Sequence, residues 1–228
     1  MKSIIVIAIC ILALVIPNRD LKAASIKDSD FRGMKSVEIE SKYLRVTVLP
    51  DRGANIVSVF DKRNSREWMW HNDNVTYKPV PYNSPFDAGD YSGFDDCFPT
   101  VGPSIYPDGV WKGIATPDHG ELWTSKVDVI KSGSNITFRI KGKRLPYIFE
   151  KQIILHDPNK ITVKYKVSNP TAEPVKTIWA AHAMLKTASG MSLFLPGDTQ
   201  VRDGLGSWDI KNEYGVEWID LAGPETHT

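Results

Sequence analysis

The chain has 228 residues, 42% of them hydrophobic and 24% charged, with 28 Lys and Arg against 27 Asp and Glu. That balance suits a globular protein large enough to bury a substantial core. A formal charge of +1 offers no excess of cations for a polyanion, so nucleic acid is excluded as an expected partner.

The first residues differ from the rest. Lys2 precedes an uninterrupted apolar run from Ile4 to Ile16, followed by Pro17, several charges and the small cluster Ala23-Ala24-Ser25. This pattern reads as a secretory signal peptide over residues 1–25. The run is shorter than the roughly 20 residues that span a bilayer, so no stable membrane span is expected after its removal. A secreted or periplasmic protein is the expectation. Losing the leader removes Lys2, Arg19, Lys22 and Asp20, turns the formal charge to −1, and leaves Cys97 without a second cysteine. No internal disulfide is then expected, and Cys97 reads as a small buried apolar residue rather than a nucleophile.

Residues 26–35 are polar and read as an irregular N-terminal arm, ahead of one domain over residues 36–228. Val37 to Glu40 and Tyr43 to Leu49 alternate apolar and polar side chains as half-buried strands do. Pro50-Asp51-Arg52-Gly53 turns the chain into a third alternating run, Ala54 to Phe60, and a fourth follows at Arg66-Glu67-Trp68-Met69-Trp70. The spacing predicts a meander of short antiparallel strands. From His71 to Pro117 the periodicity disappears while prolines, glycines, aspartates and aromatics accumulate. Aperiodic segments of this length are uncommon in compact domains and are often functional, and the aromatic content argues for order. Long ordered loops over one end or one face of a sheet are expected, with Phe94-Asp95-Asp96-Cys97-Phe98-Pro99 as the most site-like section.

Thr116-Pro117-Asp118-His119-Gly120-Glu121-Leu122-Trp123 packs an imidazole, two carboxylates, a turn glycine and an indole together. Proline and glycine mark a loop, and the alternation after Glu121 predicts a strand from Leu122 to Ile130. Hairpins follow through Lys131-Ser132-Gly133-Ser134-Asn135 and through His156-Asp157-Pro158-Asn159. Val175 to Ala183 and Leu193 to Pro196 complete the set. About ten short strands joined by turn-rich links, with no amphipathic helix, predict an antiparallel sandwich or barrel.

The histidines stand at 71, 119, 156, 182 and 227, none with metal-ligand spacing, so no metal site is expected. Nucleophile elbows, phosphate-binding glycine loops and dinucleotide fingerprints are absent from the sequence. Polar groups at strand ends among aromatics suit a sugar, whose apolar face stacks on rings while its hydroxyls take hydrogen bonds. On a strand, His182 shares its face with Ile178 and Ala180, which leaves room beside the imidazole. A core histidine bonded to a backbone carbonyl would show the same pattern.

Taken in order, the stretch from Leu44 to Ile56, Arg66-Glu67-Trp68, Asp118-His119-Gly120-Glu121-Leu122-Trp123 and Trp179-Ala180-Ala181-His182 resemble the aldose 1-epimerase (galactose mutarotase-like) superfamily. The resemblance covers most of the mature chain and implies a large antiparallel β-sandwich, the supersandwich shared by several carbohydrate-active enzymes. It also implies interconversion of the α and β anomers of a free sugar with neither metal nor nucleotide cofactor. A base takes the anomeric proton, an acid protonates the ring oxygen, and the opened ring closes on its other face. By this resemblance His182 matches the general acid and His119 the sugar-contacting histidine. Asp96, Glu121 and Trp123 are further candidates for sugar contacts. The base of the family is a late glutamate. Glu213, Glu217 and Glu225 are the late carboxylates here, none in a matching context, and Asp203 or Asp209 could be the substrate-binding aspartate. The C-terminal part of the sandwich is therefore expected to be missing. Two other readings share these features: a carbohydrate-binding module without a base, and an interaction domain whose aromatic loops meet a protein.

Overall fold

The computed structural model describes residues 24–195, 210–213 and 216–221, with side chains over 24–191. The expected leader up to residue 23 lies outside the described residues, as do Asp203, Asp209, Glu225 and His227 and the side chains of Glu213 and Glu217.

The predicted meander is present as β1 (Ser25–Phe31), β2 (Met34–Glu40), β3 (Leu44–Leu49), β4 (Asn55–Asp61) and β5 (Arg66–Glu67). The sheet is completed by β6 (Phe94–Cys97) and a distant strand, β13 (Ala180–Ala183). Its order is β1–β2–β3–β4–β6–β13, with β5 paired to β4. Residues 26–35, expected as an irregular arm, instead fold largely into β1, which runs antiparallel to β2 from Ser25 opposite Glu40 to Phe31 opposite Met34. The polar composition that suggested an arm is that of an exposed edge strand.

A second sheet comprises β9 (Asp128–Ser132), β10 (Asn135–Lys141), β11 (Ile148–His156) and β12 (Lys160–Ser168) in the order β12–β11–β10–β9. Smaller sheets pair β7 (Ser104–Ile105) with β8 (Ala115–Thr116), and β14 (Met191–Leu195) with β16 (Val216–Leu221) and β15 (Ile210–Glu213). The strand expected from Leu122 begins only at Asp128. Ahead of it, Gly53 N–H donates to the Ser125 carbonyl at 2.7 Å and Val127 N–H to that of Pro50 at 2.9 Å, which ties residues 122–127 down as a buried loop. Tertiary burial, not strand pleat, accounts for the apolar character of Leu122 and Trp123.

Inward side chains of the two large sheets interdigitate: Val37, Ile39, Val46, Val48 and Ile56 from one, Ile136, Phe138, Ile140, Phe149 and Ile153 from the other. The protein is an all-β antiparallel sandwich, as the strand pattern and the resemblance both predicted. Between Phe149 and Ile153 the pleat also turns Lys151 inward, where it is 1% exposed. Its Nζ donates to Asp96 Oδ2 at 2.8 Å and to the Ala54 carbonyl at 3.1 Å, so a buried ion pair joins the two layers. The opposite face of the seven-stranded sheet carries Met34, Leu49 and Val57 against Tyr77. Nearby, Val80, Phe86 and Trp123 form a further apolar cluster. The aperiodic segment therefore covers that outer face. Among the described residues no helix is long and apolar enough to cross a membrane.

Candidate functional site

The site grows out of β6, a strand that propensity hides, since two aspartates in four residues disfavour strand structure. Pairing with β13 sets Cys97 opposite Ala180, Asp96 opposite Ala181, Asp95 opposite His182 and Phe94 opposite Ala183. Directly opposed residues share a face. Asp95, Cys97 and His182 therefore lie on the outer face, while Phe94 and Asp96 point into the sandwich.

His119 reaches the same place from the loop. His119 and Gly120 both have positive φ, +56° and +75°, a conformation that glycine adopts freely and other residues only at a cost. The turn lets Gly120 bridge to Phe98, with Glu121 N–H donating to the Phe98 carbonyl and His119 N–H to that of Val101, each at 2.7 Å. A Cβ at position 120 would lie 2.2 Å from the Phe98 oxygen. Gly120→Ala is accordingly expected to destabilise the protein by about 1–3 kcal/mol and to move His119 away from β6. Urea unfolding measures the first effect, and an unshifted midpoint would show that the turn is tolerant.

The rings of His119 and His182 are 5.1 Å apart at 43°. Phe86 stacks on His119 at 3.9 Å and lies 5.1 Å from His182. His119 Nδ1 contacts Asp118 Oδ1 at 2.9 Å, and Asp118 Oδ2 accepts the Phe86 amide at 3.0 Å. Burial alone would raise the Asp118 pKa, but the Phe86 amide and His119 outweigh it and hold the carboxyl below its ordinary value. As a carboxylate, Asp118 can only accept, so Nδ1 of His119 donates this bond and Nε2 is the nitrogen that can exchange a proton.

The surroundings of His182 differ. Its Nδ1 is shielded from solvent and has no hydrogen-bond partner among the described residues. Burial, and then the neighbouring His119, hold its pKa below 6.5. Cys97 is 2% exposed. Burial, aided by Asp95, Asp96 and Asp118, pushes its thiol up to about 12, so at neutral pH it is protonated, and its burial is the one expected from sequence. Asp95 is buried too. Burial pushes its carboxyl up to about 7, against the opposing pull of Arg52 and Asn55.

Three expected sugar contacts have other partners. Asp96 binds Lys151 with one oxygen and accepts Trp179 Nε1 with the other at 3.1 Å, inside the sandwich. Glu121 is fully buried and accepts from Tyr82 Oη at 2.7 Å, Arg144 N–H at 2.9 Å and Lys143 N–H at 3.1 Å. Trp123 is 1% exposed, packed against Phe86, with its Nε1 bonded to the Asp118 carbonyl at 2.9 Å. A side chain with its polar atoms occupied and its surface covered has nothing left for a sugar hydroxyl. These three residues support the site instead of lining it. Those the sequence reading passed over are Phe86, Asp95 and the placement of Cys97. Recognising β6 as a strand would have separated Asp95 from Asp96 by pleat alone.

A groove of about 480 Å³, bordered by Asn83, Pro85, Pro103, Ile105 and Asp118, adjoins the cluster. It touches Asp118 but neither imidazole, so it neighbours the histidine pair and does not contain it.

A family model described as "Domain of unknown function (DUF5107)" matches residues 13–218. The chain belongs to this family. No curated protein matches the DUF5107 sequence. Three solved structures share the fold of this DUF5107 chain. One is a 4-alpha-glucanotransferase from Thermococcus litoralis, 17% identical, TM-score 0.52, covering 76% of this chain and 29% of that one. A galactose mutarotase-like protein from Clostridium acetobutylicum is 15% identical, TM-score 0.51, over 72% of this chain and 55% of that one. A TPR-domain containing protein from Parabacteroides distasonis is 13% identical, TM-score 0.50, over 71% and 25%. At such identities the likeness is one of fold, the galactose mutarotase-like sandwich. The DUF5107 chain spans between a quarter and just over half the length of these structures.

Proposed function

We propose that this protein binds a free sugar beside the His119–His182 pair and interconverts its anomers by proton transfer between the two imidazoles. The observation that carries this reading is the pair itself: two rings 5.1 Å apart in different electrostatic surroundings. Two imidazolium ions at that separation repel, and pairs of groups held in different protonation states mark acid and base. The family resemblance gives His182 the acid role. Its environment favours the reverse, because burial and His119 keep it neutral. His182 then takes the anomeric proton, while His119, held in place by its Nδ1 contact with Asp118 at 2.9 Å, supplies a proton to the ring oxygen. The aldehyde rotates, and closure on the other face returns both protons, so no group is consumed. The apolar leader is the basis for assigning this activity to an exported protein.

Polarimetry of fresh α-glucose or α-galactose, with EDTA present, tests the proposal. Acceleration of mutarotation above buffer is expected, with an acid limb in the pH profile below 6.5. The sign follows from the shift: a base with a depressed pKa stays neutral until pH falls through its folded value and only then loses function. The unfolded chain takes up that proton first, so stability also declines as pH drops below 6.5. Sugar-dependent quenching of tryptophan fluorescence without acceleration would leave a binding module and remove the enzyme.

A further inference from the structure

The two imidazoles have a third neighbour that proton transfer does not use. Cys97 Sγ and one ring nitrogen each of His119 and His182 all lie within 4.8 Å of one another. The three come from β6, the loop and β13, far apart in sequence, which is why their spacing carries no metal signature. In a tetrahedral zinc site with metal–sulfur and metal–nitrogen bonds near 2.3 and 2.0 Å, such donor atoms sit about 3.3–3.6 Å apart. Closing the remaining distance needs shifts of roughly 1 Å, within the reach of small imidazole rotations.

Two further features fit a cation. His119 turns one nitrogen to the Asp118 carboxylate at 2.9 Å, the arrangement by which a carboxylate fixes the tautomer and orientation of a metal-bound histidine. His182 Nδ1 is shielded from water and has no partner among the described residues, a polar atom whose desolvation none of them offsets. The carboxyls of Asp95, Asp96 and Asp118 all act electrostatically on Cys97, and they favour positive charge there.

We infer that Cys97, His119 and His182 form a three-ligand site for a borderline-soft divalent ion, Zn²⁺ or Co²⁺, which leaves a fourth position open and blocks sugar turnover when filled. One thiolate with two imidazoles selects such ions over Mg²⁺ or Ca²⁺, which take oxygen ligands. On binding, the Sγ–H bond breaks, its proton leaves to solvent and the sulfur lone pair goes to the metal. His119 also gives up to solvent the proton it would otherwise donate to the ring oxygen, and each imidazole then commits to the ion the lone pair that proton transfer requires. Metal and sugar chemistry therefore exclude each other. Only this inhibition rests on the proposed function; the site itself does not.

Co²⁺ titration of the EDTA-stripped full chain, carrying Cys10→Ser so that Cys97 is its one thiol, decides the matter. The expected result is one Co²⁺ per chain, with a sulfur-to-cobalt charge-transfer band and the intense visible bands of four-coordinate cobalt, both displaced by Zn²⁺. Cys97→Ser should abolish the charge-transfer band and Asp118→Asn should weaken Co²⁺ binding about 10–100-fold. The aspartate variant keeps the test open if the cysteine variant does not fold. No binding, binding without the charge-transfer band, or undiminished affinity in both variants overturns the site. Mutarotation by the stripped protein is read separately: its absence removes the proposed function and leaves the cobalt spectrum to stand alone. If the stripped protein is active, activity that persists with Co²⁺ bound removes the inhibition.

Discussion

His182→Ala is expected to lower the rate of mutarotation by about 10²–10⁴-fold, the usual contribution of a positioned proton-transfer group, while the protein stays folded. The two halves of this expectation come from different observations. The loss of rate follows from the position of His182 opposite Asp95 and 5.1 Å from His119. The retained fold follows from its bonding: Nδ1 has no hydrogen-bond partner among the described residues, so truncation removes an unsatisfied buried polar atom without stranding a partner of it. Polarimetry with a parallel thermal melt separates the cases. A variant that unfolds would make His182 a core residue, and one that turns over normally would remove it from the chemistry.

The second large effect is on stability. Lys151→Met leaves the Asp96 carboxylate inside the sandwich without its counter-ion, a change that costs about 3–5 kcal/mol at comparable buried pairs. For a chain of this size that corresponds to a fall in Tm of about 6–20 °C. The damage should reach the site as well, because Asp96 also accepts Trp179 Nε1 next to β13, the strand that carries His182. Adding Asp96→Leu removes the stranded charge and should recover most of the loss, since replacing both partners of a buried pair is often neutral or stabilising. Calorimetry of the single and double variants makes the comparison. A single variant that melts within about 2 °C of the parent would show that the pair contributes little.

The meander of β2 to β5 and the hairpins of β9 to β12 were legible because apolar side chains recur at every second position along most of them, even where the other face is also covered, as in β3 and β4. β1 was not, because only Ile26 and Phe31 of this largely exposed edge strand pack against the core clusters, one on each face, which leaves no alternating apolar signal. β6 was not either. Its aspartates are tolerated only because Lys151 lies across one of them and Arg52 and Asn55 act on the other, and all three partners are remote in sequence. The same limit explains Asp96, Glu121 and Trp123. A carboxylate that bonds a sugar and one that holds a loop together look alike until their partners are known.

By itself, then, the sequence determined the class of fold, the order of most strands, and the two histidines worth following, because local pleat and turn chemistry act over neighbouring residues. Only the tertiary structure decided which face of β6 points outward, that Asp95 and not Asp96 stands across from His182, and that Cys97 joins two histidines from distant segments. Those facts depend on strand register and on one loop docking against Phe98, and pairing across a sheet is fixed by the packing of the whole sandwich rather than by any stretch of it.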